Sequence, residues 1–276
     1  MQRLSDAAAI FAGNRAQAGA RLSYRAGAPL SRLTDLAEWG GYRVKFPAVT
    51  DRAEAVLLNT GGGMAGGDAL QVTVRLEPGA ALTFTTQSAE RVYRSLGPAT
   101  SIAVDLSVEA GADLAFIPQE TILFSHARIA RTITADVAPD GQLLLAETLV
   151  FGRAASGERV TAGCWRDRWR IRRGGRLAYA DDARLEGAMS DALQRRAVGA
   201  GAGAVGCLLY VSPDASDRLA EARGLLEAAS CRAAASSWNG LLAIRAMGQP
   251  TAVRRTLAIS IAGLLRRPLP RVWLGI

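Results

Sequence analysis

A glycine-centred unit recurs along the middle of this chain at a near-constant interval. Leu76-Glu77-Pro78-Gly79-Ala80-Ala81-Leu82, Val108-Glu109-Ala110-Gly111-Ala112-Asp113-Leu114 and Val137-Ala138-Pro139-Asp140-Gly141-Gln142-Leu143 share one plan. Ile171-Arg172-Arg173-Gly174-Gly175-Arg176-Leu177 approximates it, and the turn glycines Gly79, Gly111, Gly141 and Gly175 lie 32, 30 and 34 residues apart. The flanks alternate with period two. Leu70, Val72, Val74 and Leu76 interleave with Gln71, Thr73 and Arg75, and Ile102, Val104, Leu106 and Val108 with Ala103, Asp105 and Ser107. Ile129, Ile133 and Val137 sit opposite Thr132, Thr134 and Asp136. Such alternation marks strands with one buried face. Each unit therefore reads as strand, tight turn, strand, with glycine supplying the positive φ of a hairpin turn. Units repeating at this period bury one another's faces. The expected fold is mainly β, an irregular superhelix or solenoid-like stack.

After Leu185 the texture changes. A Gly/Ala linker at 199–203 leads to an apolar strand over 204–211. Ser216 or Asp217 is placed to cap a helix carrying Leu219, Ala222, Leu226 and Ala229 on one face. A strand over 241–246 follows. Pro250 then suits a first helical turn, and Leu257, Ile261, Leu264 and Leu265 form an apolar stripe that ends before Pro268. This region reads β-α-β-α. The chain thus divides into a β-rich superhelical part, 1–190, and a C-terminal α/β part, 191–276, packing on it.

The net charge is +8, and arginine supplies all of the basic side chains except Lys45. A basic surface favours acidic partners or nucleic acid. No RRM, OB or zinc-finger pattern supports the latter, so nucleic acid is not an expected partner. On the expected strand over 165–172, Arg166, Arg168, Arg170 and Arg172 share one face. That face is either solvated or turned to an acidic protein. No apolar run approaches the ~20 residues of a membrane span, and the polar start Met1–Ile10 does not read as a secretory signal. A cytoplasmic location follows. Cys164, Cys207 and Cys231 are widely spaced and read as reduced thiols.

Catalytic chemistry is thinly supplied. Asn59-Thr60-Gly61-Gly62-Gly63-Met64-Ala65-Gly66-Gly67-Asp68 contains a formal GxGxxG after an apolar strand. A strand follows where a dinucleotide site needs a helix, so nucleotide binding is set aside. A tight backbone crossing that projects Asp68 at a sheet edge fits better. His126 is the only histidine, and no GxSxG elbow is present. A resident metal centre would want several His or Cys ligands, which here are scattered. Carboxylates do occur within strand patterns. Glu147 shares a register with Leu143, Leu145, Leu149 and Phe151, Asp181 with Leu177 and Tyr179, and Glu120 sits inside Phe116–Phe124. Each either pairs with an arginine or lines a hydrated internal passage.

In order along the chain, the segments 58–68 (LNTGGGMAGGD), 85–95 (TTQSAERVYRS), 118–124 (PQETILF), 151–158 (FGRAASGE) and 267–273 (RPLPRVW) resemble the signatures of the urease accessory protein UreD (UreH) family. Gln87 stands where that family commonly has proline, and Arg91 replaces its usual lysine. The resemblance implies a non-enzymatic β-superhelix with C-terminal helices. It implies binding to UreF, through it to the GTPase UreG, and to apo-urease subunits. It implies no tightly bound cofactor but nickel in transit through an internal tunnel. Asp68, Glu147 and Asp181 match acidic motif positions and, with Glu120, are the tunnel candidates. The C-terminal helices around Leu257, Ile261 and Leu265 are the expected contact for the helical partner. The competing reading is a small-molecule enzyme using Asp68, Glu120 and His126.

Overall fold

The computed structural model describes residues 15–95, 97–153 and 156–274. Met1–Ile10, and Ala154 and Ala155 of the fourth family-like segment, lie outside the described residues. The strands are β1 (Gln17–Arg25), β2 (Arg32–Trp39), β3 (Tyr42–Lys45), β4 (Ala53–Asn59), β5 (Ala69–Leu76), β6 (Ala81–Thr86), β7 (Glu90–Val92), β8 (Thr100–Val108) and β9 (Asp113–Phe116). They continue as β10 (Thr121–Leu123), β11 (Arg128–Val137), β12 (Gln142–Phe151), β13 (Gly163–Arg173), β14 (Arg176–Gly187), β15 (Ala204–Val211), β16 (Arg232–Trp238) and β17 (Leu241–Gly248). The helices are α1 (Met189–Gln194), α2 (Leu219–Leu226), α3 (Pro250–Leu265) and α4 (Arg271–Leu274).

The strands form two sheets. The first runs β14-β13-β11-β8-β5-β1-β2, and the second β16-β17-β15-β12-β9-β6-β4-β3, with β10 joining β12 to β7. Alternation decides which side chains meet between them. Val72, Val74 and Leu76 of the first sheet, and Leu82, Phe84 and Leu114 of the second, fill one shared core. The fold is the solenoid-like stack of strands that the repeat implies.

The expected hairpins, however, do not close in the first three units. Each glycine turn carries the chain from one sheet to the other: β5 to β6, β8 to β9, β11 to β12. Hydrogen bonds then run in parallel between successive units, β5 to β8 to β11 and β6 to β9 to β12. The reason is that a stack satisfies each strand's backbone groups with the equivalent strand of the next unit, leaving both inner faces free to bury apolar side chains. The turns stack as well, with Gly79 (φ +69°) donating its N–H to Ala110 O at 2.9 Å. Gly141 is not in the left-handed region. A Cβ there would come within 3.1 Å of Glu109 O, so this glycine permits close stacking of turns. Only the fourth unit, β13–β14, is an antiparallel hairpin within one sheet.

The C-terminal stretch extends the second sheet. β15 pairs antiparallel with β12, and β17 with β15. The pattern is β-α-β-β-α, because Arg232–Trp238 (RAAASSW) forms an additional edge strand on β17. α3 covers the outer face of this sheet. Leu257, Ile261 and Leu264 join Leu144, Ala146, Leu208 and Ile244 in a second core. β12 thus feeds two cores, Leu143, Leu145 and Leu149 inward and Leu144 and Ala146 toward α3. That is why it is apolar on both faces. Neither Ser216 nor Asp217 caps α2. Arg218 occupies that position without a side-chain cap, and Ala229 lies beyond the helix. The Arg218 guanidinium instead reaches the Gly263 and Leu264 carbonyls near the end of α3.

Candidate functional site

Between the sheets, one row of side chains breaks the apolar core. Arg131 on β11 is in register with Ile129 and Ile133, so parity turns it inward, and β11–β13 pairing sets it beside Asp167. Glu147 faces them from β12. Arg131 and Glu147 are only 4% and 6% exposed. A charge so buried is costly unless paired. The Arg131 guanidinium grips Asp167 with two nitrogens, Nε to Oδ1 at 3.0 Å, and Trp169 Nε1 donates a further bond to Asp167 Oδ1 at 2.9 Å. Glu147 receives one Arg131 nitrogen. Two carboxylates therefore share one guanidinium, and Asp167 is the better satisfied. Burial pulls Arg131 down, but the charges of Asp167 and Glu147 outweigh it and hold the guanidinium above its ordinary value. Glu147 is the surplus acid. Burial pushes it up to about 7, against the pull of Arg131 and with a push from Asp167.

Two cavities meet at this triad, and Asp167 lines only the first of them. The first, about 240 Å³, also reaches Trp165, Asp181, Cys207 and Arg245. The second, about 50 Å³, runs the other way past Phe84, Val104 and Phe116 to Tyr42 and Glu90. Both include Arg131 and Glu147. Strand order explains the layout. β13, β14, β15 and β17 lie to one side of the β11/β12 centre, and β8, β5, β6, β4 and β3 to the other. At the far side of the first cavity Arg245 pairs with Asp181 and donates to Tyr179 Oη, tying β17 to β14. Burial pushes the neighbouring Cys207 thiol up to about 11. At the far side of the second, Tyr42 Oη donates to Glu90 at 2.7 Å and Asn59 Nδ2 donates to Glu90 at 2.9 Å. Burial lifts the Glu90 carboxyl above its usual range, while those two hydrogen bonds pull against the rise.

The structure brings two of the four sequence-read acids, Glu147 and Asp181, to one cavity. Asp68 is elsewhere. It immediately precedes β5, an inner strand, not a sheet edge, and its oxygens accept the N–H groups of Ala16 at 2.9 Å and Ala65 at 2.7 Å. Its carboxylate holds the glycine-rich crossing in shape, although its charge still acts on Tyr42. Glu120 pairs with Arg254 of α3 at 2.6 Å, on the helix side of the second sheet. His126 is exposed in a turn at φ +63°. Leu257 and Ile261 are 0% exposed in the second core, and Leu265 is partly covered there. Any partner contact on α3 therefore falls to its outer face, where Ile259 is 39% exposed. The arginine row of β13 points outward, and one member, Arg168, pairs with Asp182. Arg131, Asp167, Tyr42 and Glu90 were missed by the sequence reading. Arg131 had a signal, a basic residue in the apolar register of Ile129 and Ile133. Asp167 had one too, sharing parity with Trp165 and Trp169. Among the described residues, no three His, Cys, Asp or Glu side chains converge to hold a metal ion. No described helix is long and apolar enough to cross a membrane.

A family model described as UreD urease accessory protein matches residues 16–274. Urease accessory protein UreD 1 of Methylobacterium radiotolerans is 53% identical over 247 residues, covering 88% of this chain and 86% of that protein. The UreD of Azorhizobium caulinodans is 45% identical over 261 residues, 94% of this chain and 96% of its own. That of Rhodopseudomonas palustris strain BisB18 is 42% identical over 273 residues, 98% of each.

Proposed function

The chain belongs to the UreD family of urease accessory proteins, and from that premise we propose that it is a non-catalytic, cytoplasmic maturation factor that passes nickel toward apo-urease through the space between its sheets. It would act with UreF and the nickel-carrying GTPase UreG, with the outer face of α3 meeting the helical partner. The observation that carries this reading is the pair of adjoining cavities whose common wall contains Glu147. A conduit must admit an ion without trapping it. Oxygen ligands hold Ni²⁺ more loosely than imidazole or thiolate does. Glu147 competes with Asp167 for one guanidinium, so it has negative charge to offer a passing cation, and Arg131 keeps that offer weak. The enzyme reading has less support. Asp68 is tied to backbone N–H groups, Glu120 to Arg254, and His126 stands exposed in a turn.

The test is a Glu147→Gln variant in cells expressing the urease operon, with nickel measured in the purified urease. The expected result is intact co-purification with partners and a lowered nickel content at limiting nickel. Full nickel loading at limiting supply, with the variant present at normal level, would overturn the conduit.

A further inference from the structure

Of the four carboxylates that line the two cavities, Glu147 and Asp167 touch Arg131, and Asp181 touches Arg245. Glu90 differs. Its oxygens accept from the Tyr42 hydroxyl, the Asn59 amide and, at 3.2 Å, the Arg91 backbone N–H, and among the described residues no guanidinium or ammonium pairs with it. A carboxylate bound to an arginine has its charge partly compensated, as Arg131 weakens what Glu147 can offer. One held by neutral donors has no cation bonded to it, and its position is fixed, although burial disfavours its charged form and the nearby Arg91 charge favours it. Tyr42 and Asn59 come from β3 and β4, so the carboxylate is braced by two strands at the edge of the second sheet. Burial, followed by the charge of Glu90 itself, holds the Tyr42 phenol far above its ordinary value. The phenol therefore stays a donor at any physiological pH.

The second cavity is narrow, about 50 Å³, and most of its wall is apolar. A water needs roughly 10–15 Å³ of such space, so the cavity holds about four, and a cation there sheds part of its hydration shell. Replacing that shell takes fixed oxygen and negative charge at the end of the constriction. Glu90 is the side chain that meets both needs. We propose that Glu90, braced by Tyr42 and Asn59, is a cation-accepting station of the passage, at the end of the second cavity remote from Asp181, where it takes up a divalent cation with water as the remaining ligands. This rests on the conduit reading and adds a station to it. A single carboxylate with water binds weakly, which suits an ion that must leave again.

The experiment uses the full chain, purified with whatever partner keeps it soluble, and nickel chloride alone as the probe. Ni²⁺ binding is titrated calorimetrically for the wild type, Glu90→Gln and Glu90→Asp, and each is also tested for urease activation across a nickel series. Glu90→Gln is expected to weaken one binding event by at least about tenfold, of the order seen when a group supporting a metal is lost, and to raise the nickel needed for half-maximal activation. Glu90→Asp keeps the charge and is expected to restore most of both. Wild-type binding and nickel requirement in Glu90→Gln overturn the proposal. Equal loss in both variants also overturns it, since that marks a structural role. If Glu147→Gln impairs nickel loading and Glu90→Gln does not, the station is wrong and the conduit stands. If neither impairs it, both fall.

Discussion

The triad at the shared wall makes a prediction about stability that does not depend on nickel. Replacing Glu147 by Gln keeps the volume and removes the surplus buried charge, leaving Arg131 and Asp167 as a neutral pair. Folding raises the Glu147 carboxyl from 4.5 to about 7. A raised carboxyl favours the protonated folded form. Its contribution is therefore fully present below about pH 4.5 and is lost as pH climbs through about 7. At roughly 1.4 kcal/mol per pKa unit, the charged form costs the folded chain on the order of 3 kcal/mol above pH 8. The side chain is 6% exposed, so solvent screening takes little from that figure. Glu147→Gln removes this pH-dependent cost. Thermal melts of wild type and variant, followed by circular dichroism from pH 5 to pH 8, should show near-equal midpoints at pH 5. At pH 8 the variant should melt about 6 °C higher, taking about 2 °C per kcal/mol for a chain of this size. Arg131→Met should do the opposite, losing about 3–5 kcal/mol by leaving two buried carboxylates without a cation. A Glu147→Gln difference that is the same at both pH values, or that shrinks as pH rises, refutes the surplus-acid argument.

Two further outcomes follow from the geometry of the crossing and of α3. A Cβ at Gly66 would lie 2.0 Å from Ser95 Oγ and 2.8 Å from Pro98 O, so Gly66→Ala should cost about 1–3 kcal/mol by overpacking; an unchanged melting midpoint would count against the close crossing. Ile259→Arg, on the outer face of α3, should leave the midpoint within about 0.5 kcal/mol equivalent and abolish co-purification of the helical partner, whereas retained capture would move that contact elsewhere.

Much of this protein was readable without coordinates. The period-two patterns located β5, β8 and β11, and the shared register of Leu143, Leu145, Leu149 and Phe151 marked one face of β12. The glycine spacing announced a stack, and Pro250 the start of α3. These are properties of single segments, because the pleat assigns alternate side chains to opposite faces whatever lies across them. What the pattern does not encode is the neighbour. Whether Gly79 closes a hairpin or turns a corner depends on where β6 finds hydrogen-bond partners, and those lie a whole unit further along the chain. β16, built of alanine and serine, has little strand preference of its own and exists because β17 offers an unpaired edge. The same limit governs the acids. The sequence placed Glu147 in an apolar register, but only the pairing of β11 with β13, opposite β12, set it to share one guanidinium with Asp167. Only the assembly of β3, β4 and β7 left Glu90 held by neutral donors. Charge compensation is a relation between distant segments, so the tertiary structure alone decided which carboxylate pairs with an arginine and which is held by neutral donors.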